Sequence, residues 1–269
     1  MTQNQSAPAL ATANPQAKSQ ESLVAGQFGP QAAAYVASPV HAQGEDLKQL
    51  AAMVAGQAEI RVLDLGCGGG HVAYAVAPHV KEVVAYDLSA DMIAAVASEA
   101  KRRRLVNVVA EQGAAERLPF ADESFDAVFT RFSAHHWRDV PAALKEAKRV
   151  VKKDGFAAIV DAVSPGAPVP DTYLQGIELM RDPSHVRDYA VEEWKAMLRA
   201  AGFRPDAVTM RRLPLDFPSW IARMRVTPAM ADSIRAVQRA MSADVVRHFD
   251  IKDDGAFTID VATIEAEPV

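Results

Sequence analysis

The chain has 269 residues, 49% hydrophobic and 23% charged, an ordinary makeup for a soluble globular protein and enough for one large α/β domain or a core with a small cap. A net charge of −5 speaks against a nucleic-acid partner, since phosphate binding leaves a basic footprint, and a single cysteine, Cys67, excludes an internal disulfide and suits a reducing cytoplasm. No apolar run reaches the roughly 18 residues of a membrane span, and no basic stretch followed by an apolar one opens the chain, so a cytoplasmic protein with neither membrane helix nor signal peptide is expected.

Residues 1–22 are rich in Gln, Ala, Ser, Pro and Asn without a helical or strand period, which predicts a disordered tail. Helical stretches follow near Pro30–Val36 and Gly44–Val54. In the second, Leu47, Leu50, Ala51 and Val54 recur at three- and four-residue steps and mark a buried face. Strands predicted near Ile60–Leu65, Glu82–Asp87, Val106–Glu111, Phe125–Phe132 and Ala157–Ala162 alternate with helices near His71–Ala77, Ala90–Arg103, Val140–Lys152 and Val191–Ala201. Gly155 and Gly202 stand where glycines end helices. This alternation predicts parallel strands joined by right-handed crossovers, hence a three-layer, doubly wound α/β sandwich. Two final strands are expected near Ala207–Leu215 and Phe257–Ile264. Residues 164–187, rich in proline, and 218–254, holding Trp220, Met224, Met230 and Met241, fall outside the alternation. They read as a substrate cap within a single domain spanning 23–269.

The first strand opens into Asp64-Leu65-Gly66-Cys67-Gly68-Gly69-Gly70-His71. A glycine turn between a strand and a helix admits a nucleotide-like ligand at the carboxyl end of a parallel sheet, because glycines allow positive φ and bring backbone close to the ligand. The dinucleotide fingerprint needs a third glycine where this chain has His71, so a pyrophosphate cradle fits poorly. Asp87, 21 positions after Gly66, stands at the distance from which an acid on the second strand reaches ribose hydroxyls.

The D-x-G-x-G-x-G form resembles motif I of the class I S-adenosylmethionine-dependent methyltransferases. Five later stretches resemble that family in the same order: Ala85–Met92, Gly113–Phe120, Ser124–Val128, Ala134–Trp137 and Leu144–Lys152. The subgroup they resemble comprises small-molecule enzymes related to the ubiquinone/menaquinone-biosynthesis C-methyltransferases. The resemblance covers residues 26–203 and thins beyond. It implies a Rossmann-like methyltransferase fold, with a mostly parallel seven-stranded sheet whose last strand is reversed, and a small helical cap. It also implies S-adenosyl-L-methionine as cofactor, an enzyme that methylates a small, partly apolar molecule, and no metal. The alternative is a non-catalytic S-adenosylmethionine-binding sensor or regulatory protein. The acceptor's identity, the atom methylated and the oligomeric state stay open.

The resemblance assigns the cofactor's ammonium to Asp64, its close backbone approach to Gly66, Cys67 and Gly68, and its ribose to Asp87. Leu88 and Met92 flank the adenine or serve the core. Ala114 replaces an aspartate that contacts the adenine amino group in the family, leaving the Ala115 amide as donor; Glu116 either substitutes or is a solvated loop residue. Arg131 begins the turn under the transferable methyl. Gln27-Phe28-Gly29-Pro30-Gln31-Ala32-Ala33-Ala34-Tyr35 resembles an entrance helix on which Phe28 and Tyr35, two turns apart, close over the cofactor. Methyl transfer needs a base only where the nucleophile carries a proton of high pKa. His136 is the candidate, against a structural role packing or capping the next helix, with His135 behind it.

Overall fold

Val62 and Leu63, like Val83 and Val84, send consecutive side chains into two different buried clusters, one on each face of a sheet. That two-residue period in runs with no polar face calls for helices on both sides. The computed structural model describes residues 18–36 and 43–269. In it the strands Arg61–Leu65 (β1), Glu82–Asp87 (β2), Val108–Gln112 (β3), Phe125–Arg131 (β4), Val151–Val163 (β5), Phe203–Leu215 (β6) and Phe257–Pro268 (β7) form one seven-stranded sheet, ordered β3-β2-β1-β4-β5-β7-β6. The first five run parallel. β7 pairs antiparallel to both β5 and β6, which is the expected reversed last strand.

Gln20–Phe28 (α1) and Ala32–Val36 (α2) flank a 3-10 turn at Gly29–Gln31, and Glu45–Met53 (α3) leads into β1. His71–Val76 (α4) follows β1, Ala90–Arg102 (α5) follows β2, Val140–Val150 (α6) precedes β5, and Val191–Ala201 (α8) precedes β6. The helix Pro168–Arg181 (α7) lies after β5; Phe217–Arg223 (α9), Pro228–Ala240 (α10) and Ala243–Phe249 (α11) lie between β6 and β7. These last four fill the two stretches outside the alternation. Their Tyr173, Leu174, Ile177, Trp220, Ile234, Val245 and Phe249 extend the core that Leu50, Val72 and Val96 form on the α3–α5 face. Trp194 and Leu198 of α8 join Leu144 of α6 in the core of the opposite face.

Three expectations need correction. Most of the tail read as disordered lies outside the described residues, but its last three positions begin α1. The Ser19 side chain caps that helix by accepting the Ser22 amide (3.2 Å), and the Gln20 amide group donates to the Ser184 carbonyl (2.6 Å). Gly202 does end α8, at φ 92°. Gly155 ends no helix: α6 stops at Val150, β5 starts at Val151, and a Cβ on Gly155 would lie 2.5 Å from the Asp126 carbonyl, where the register of β4 and β5 shifts. β5 therefore starts earlier than its apolar run suggests, because Lys152, Lys153 and Asp154 belong to it.

Candidate active site

The chain reverses sharply after β1 because the Gly66 and Cys67 amides both donate to the Tyr86 carbonyl on β2, at 2.8 and 3.0 Å. Gly66 and Gly68 stand at φ 73° and 47°, in the left-handed region that side chains resist. A Cβ on Gly66 would fall 1.9 Å from the Ser133 hydroxyl, whereas one on Gly68 would meet nothing within 4 Å. Gly66 thus lets the turn after β4 close in, and Gly68 presents bare backbone to an open cleft.

Two carboxylates close the strand ends. Asp64 is 1% exposed; its Oδ2 accepts the Ala73 amide at 3.0 Å, and its Oδ1 has no hydrogen-bond partner. Burial raises its carboxyl to about 7, with the Ala73 amide opposing and the Asp87 charge adding. Asp87 accepts the Gly68 amide on Oδ2 and the Ser89 amide on Oδ1, both at 2.9 Å, and burial raises it despite these bonds. A carboxylate offers about four acceptor positions, so Asp87 keeps capacity for further donors. The Cys67 thiol is buried and pushed upward, first by burial and then by Asp87 and Asp64, so it stays protonated and is no nucleophile.

All the residues expected at the site line one cleft: Tyr35, Asp64, Gly66, Cys67, Gly68, Asp87, Leu88, Met92, Ala114, Ala115, Arg131 and His136. A second cleft adjoins it, with Phe28, Tyr35, Arg131, Phe132 and His136 lining both. The two hold about 1100 and 1230 Å³ of open space, ample for small-molecule ligands.

Several side chains do something other than their expected task. The Arg131 guanidinium turns to α3, where it forms a buried ion pair with Asp46, and it lies 4.8 Å from the Phe132 ring centre. Glu116 accepts the Arg138 and Asp139 amides (3.1 and 3.2 Å), so it is a bonded loop acceptor rather than a solvated one. Phe28 and Tyr35 belong to separate helices rather than one continuous helix, yet their rings meet edge to face at 5.6 Å. His71, odd in the glycine turn, donates from Nε2 to the Tyr35 carbonyl (2.8 Å) and tethers α2 over the cleft.

His136 and His135 follow β4 in a 3-10 turn. The Ser184 carbonyl lies 3.3 Å from His136 Nδ1 and can only accept, so the proton sits on Nδ1 and Nε2 keeps its lone pair, with Asp182 4.0 Å away. Burial, then the neighbouring His135 charge, lowers His136 well below the usual histidine range. Burial would lower His135 too, but Asp161 at 2.5 Å from its Nδ1 outweighs that and raises it to about 9. Asp161, Asp182, Ser184, Asp188 and His185 around this pair escaped sequence reasoning. One signal was legible: Asp161 interrupts the apolar run Ala157–Val163 of a buried strand. The others come from a loop, 182–188, with no pattern of its own.

A methyltransferase domain family matches residues 63–159. The chain is 40% identical over 196 residues to the uncharacterized methyltransferase YcgJ of Bacillus subtilis, covering 73% of this chain and 78% of that one. The crystal structure of YcgJ superposes with a TM-score of 0.80 over 83% of this chain and 98% of that one, at 33% identity. The chain belongs to the class I S-adenosylmethionine-dependent methyltransferases. The uncharacterized protein YafE of Escherichia coli is 46% identical to this methyltransferase over 201 residues, 75% of this chain and 97% of that one. The demethylmenaquinone methyltransferase of Chlorobaculum parvum is 36% identical over 124 residues, 45% of this chain and 49% of that one.

The enzyme's cofactor is S-adenosylmethionine, and the first cleft fits it. A cationic amino acid needs an acceptor, and Asp64 Oδ1 is a buried acceptor without a partner. A ribose needs a carboxylate, and Asp87 stands one strand over. Two strand-end carboxylates, bare backbone at Gly68 and apolar sides at Leu88, Met92 and Ala115 meet in one place.

Proposed function

We propose that this enzyme methylates a small, partly apolar molecule held in the second cleft, by in-line transfer across the wall that both clefts share. The observation that carries this reading is the pair of adjoining clefts with His136, Phe28, Tyr35, Arg131 and Phe132 between them. When bound, the cofactor supplies an electrophilic methyl on a positively charged sulfur. The protein's part is to bring two reactants together and exclude water.

Asp64 holds the cofactor's ammonium, Asp87 its ribose hydroxyls, and the glycine turn lets both ends approach the backbone. Leu88 and Met92 flank the adenine, and the amides around Ala114 and Ala115 face its edge. Phe28 and Tyr35 close the entrance. On the acceptor side, Leu213, Leu215, Trp220, Ile259 and Val261 offer apolar walls. α7 and α9–α11 act as a cap within one domain that begins near residue 20. His136, neutral at physiological pH, takes the acceptor's proton at Nε2, where Asp182 meets the developing charge. Its depressed pKa suits acceptors whose proton is already loosened, such as phenolic oxygens or activated ring carbons. The lone buried thiol of Cys67 supports a reducing cytoplasm as the setting.

The test incubates the protein with methyl-labelled S-adenosylmethionine and a metabolite extract freed of protein and nucleic acid. Formation of S-adenosylhomocysteine together with a labelled small organic product is expected. Tight cofactor binding with no turnover on any extract would sink the enzyme reading in favour of a sensor.

A further inference from the structure

The second cleft contains an arginine whose charge the protein leaves unmatched. Arg223 ends α9 and lines the second cleft but not the first. Its Nε is buried without a hydrogen-bond partner, and no carboxylate among the described residues comes within ion-pair distance of it. The other arginines of this cleft are engaged. Arg131 pairs with Asp46, Arg181 with Glu178, and Arg212 with Asp260, while Arg211 donates to Thr263 and Gln49. The helix end does not satisfy Arg223 either, because the Ile221 and Ala222 carbonyls are taken by the amides of Met224, Arg225 and Val226. Burial, and then the cation of Arg181, lowers its pKa against the smaller opposing pull of Tyr35 and Glu178. A half-buried guanidinium whose buried Nε has no partner, set in the wall of a cleft, is suited to hold an anion.

On the two-cleft reading above, we infer that the methyl acceptor carries a carboxylate, bound by Arg223, on an otherwise apolar body. The fork of N–H donors on a guanidinium matches a carboxylate's two oxygens. Trp220, Met224, Leu215 and Val261 around it favour an apolar remainder. A single negative charge suits the cleft better than a dianion, since Glu178 and Asp182 line the same walls. Arg223 does not line the first cleft, so the carboxylate anchors the molecule while another of its atoms faces the methyl. Arg223 is therefore a specificity residue rather than a group at the reacting atoms.

Calorimetry on the full chain saturated with S-adenosylhomocysteine tests this with decanoate, decanol and decylamine as probes. Decanoate is expected to bind at least about tenfold more tightly than the other two. Arg223→Met is expected to weaken decanoate by about ten- to a hundredfold, the size of a charge-assisted hydrogen bond, and to leave decanol unchanged; Arg223→Lys retains part of the preference. Because Arg223→Met also removes a partly buried charge with no ion-pair partner, the ligand-free variant should melt no lower than the wild type. Equal affinity of the wild type for decanoate and decanol overturns the inference. So does an Arg223→Met protein that melts lower and binds decanoate as before, which marks the arginine as structural. Failure of S-adenosylhomocysteine to bind strikes the two-cleft reading instead, and the probe series is then read on cofactor-free protein.

Discussion

The two clefts are built by different means. Val24 and Phe28 of α1, Tyr35 of α2 and the turn after β4 complete the walls of the first, whose floor is made from the turns that follow three successive strands: Gly66–His71 after β1, Leu88–Met92 after β2, and Gly113–Glu116 after β3. Each contributes a backbone turn with one or two side chains, and neighbouring strands hold the turns in register. The second gathers α1, α2, α3, the ends of β4 and β5, α7, β6, α9 and β7. Its charges lie far apart in sequence: Arg131 meets Asp46, and His135 meets Asp161. A cofactor common to a family needs fixed backbone, which local sequence specifies. The cleft proposed for the acceptor draws on side chains of elements distant in sequence, which only folding brings together.

The sharpest way to break this comparison is Gly68→Val. It puts a β-branched side chain at φ 47° into the cofactor cleft, and S-adenosylhomocysteine affinity is expected to fall by more than about a hundredfold in calorimetry while the second cleft stays intact. Asp64→Asn comes next, with affinity about a hundredfold lower, since a buried charge pair is lost. The same change should stabilise the ligand-free fold. The Asp64 carboxyl binds its proton more tightly folded (about 7) than unfolded, so its ionisation subtracts stability as pH rises from about 4 to 7, and at pH 8 the whole penalty is present. Urea denaturation at pH 8 should therefore favour Asp64→Asn on the order of a few kcal/mol; a less stable variant would contradict the assignment.

That titration also shapes binding. On the proposed pairing of Asp64 with the cofactor's ammonium, binding favours the ionised carboxylate, so wild-type affinity should rise with pH up to about 7 and then level, with proton release on binding below that point. Calorimetry in two buffers of different ionisation enthalpy reads the released proton. Asp87→Ala should weaken cofactor binding by about ten- to a hundredfold, the loss of one or two hydrogen bonds to a carboxylate at roughly 1.5–3 kcal/mol each.

Asp161→Asn should have the smallest effect on the cofactor, within about twofold, because Asp161 lines neither cleft and bonds His135, which lines the second and not the first. Its effect on folding is expected to be large, about 3 kcal/mol or more at pH 6.5, since it strips a buried histidinium of its partner. His135 holds its proton more tightly folded than unfolded, so that contribution is complete below about pH 6.5 and gone above about pH 9. The stability gap between wild type and variant should accordingly shrink as pH rises over that window. A gap that does not change with pH would show that His135 carries no charge.

The order of strands and helices was readable because alternating apolar runs and glycine punctuation are local signals. The reversed β7 and a small helical cap were expected from the family resemblance, but the ranges of the cap helices were not, since their apolar residues pair with one another rather than with the sheet's regular period. Asp64, Gly68 and Asp87 were legible because their spacing along two strand ends is itself the geometry. Arg131 was legible in position but not in partner, and the bonds of Glu116 were not, because the amides that donate to it lie 22 and 23 residues away.

Sequence alone located the heart of the first cleft, an acid, a bare glycine and a second acid spaced along two strand ends, though α1, α2 and the turn after β4 close its walls only in the fold. Tertiary structure alone decided which charges are buried, which are paired, and that Arg223 is neither exposed nor matched. Charge state and solvation depend on everything packed around a group, and that information exists in no segment of the chain until the chain has folded.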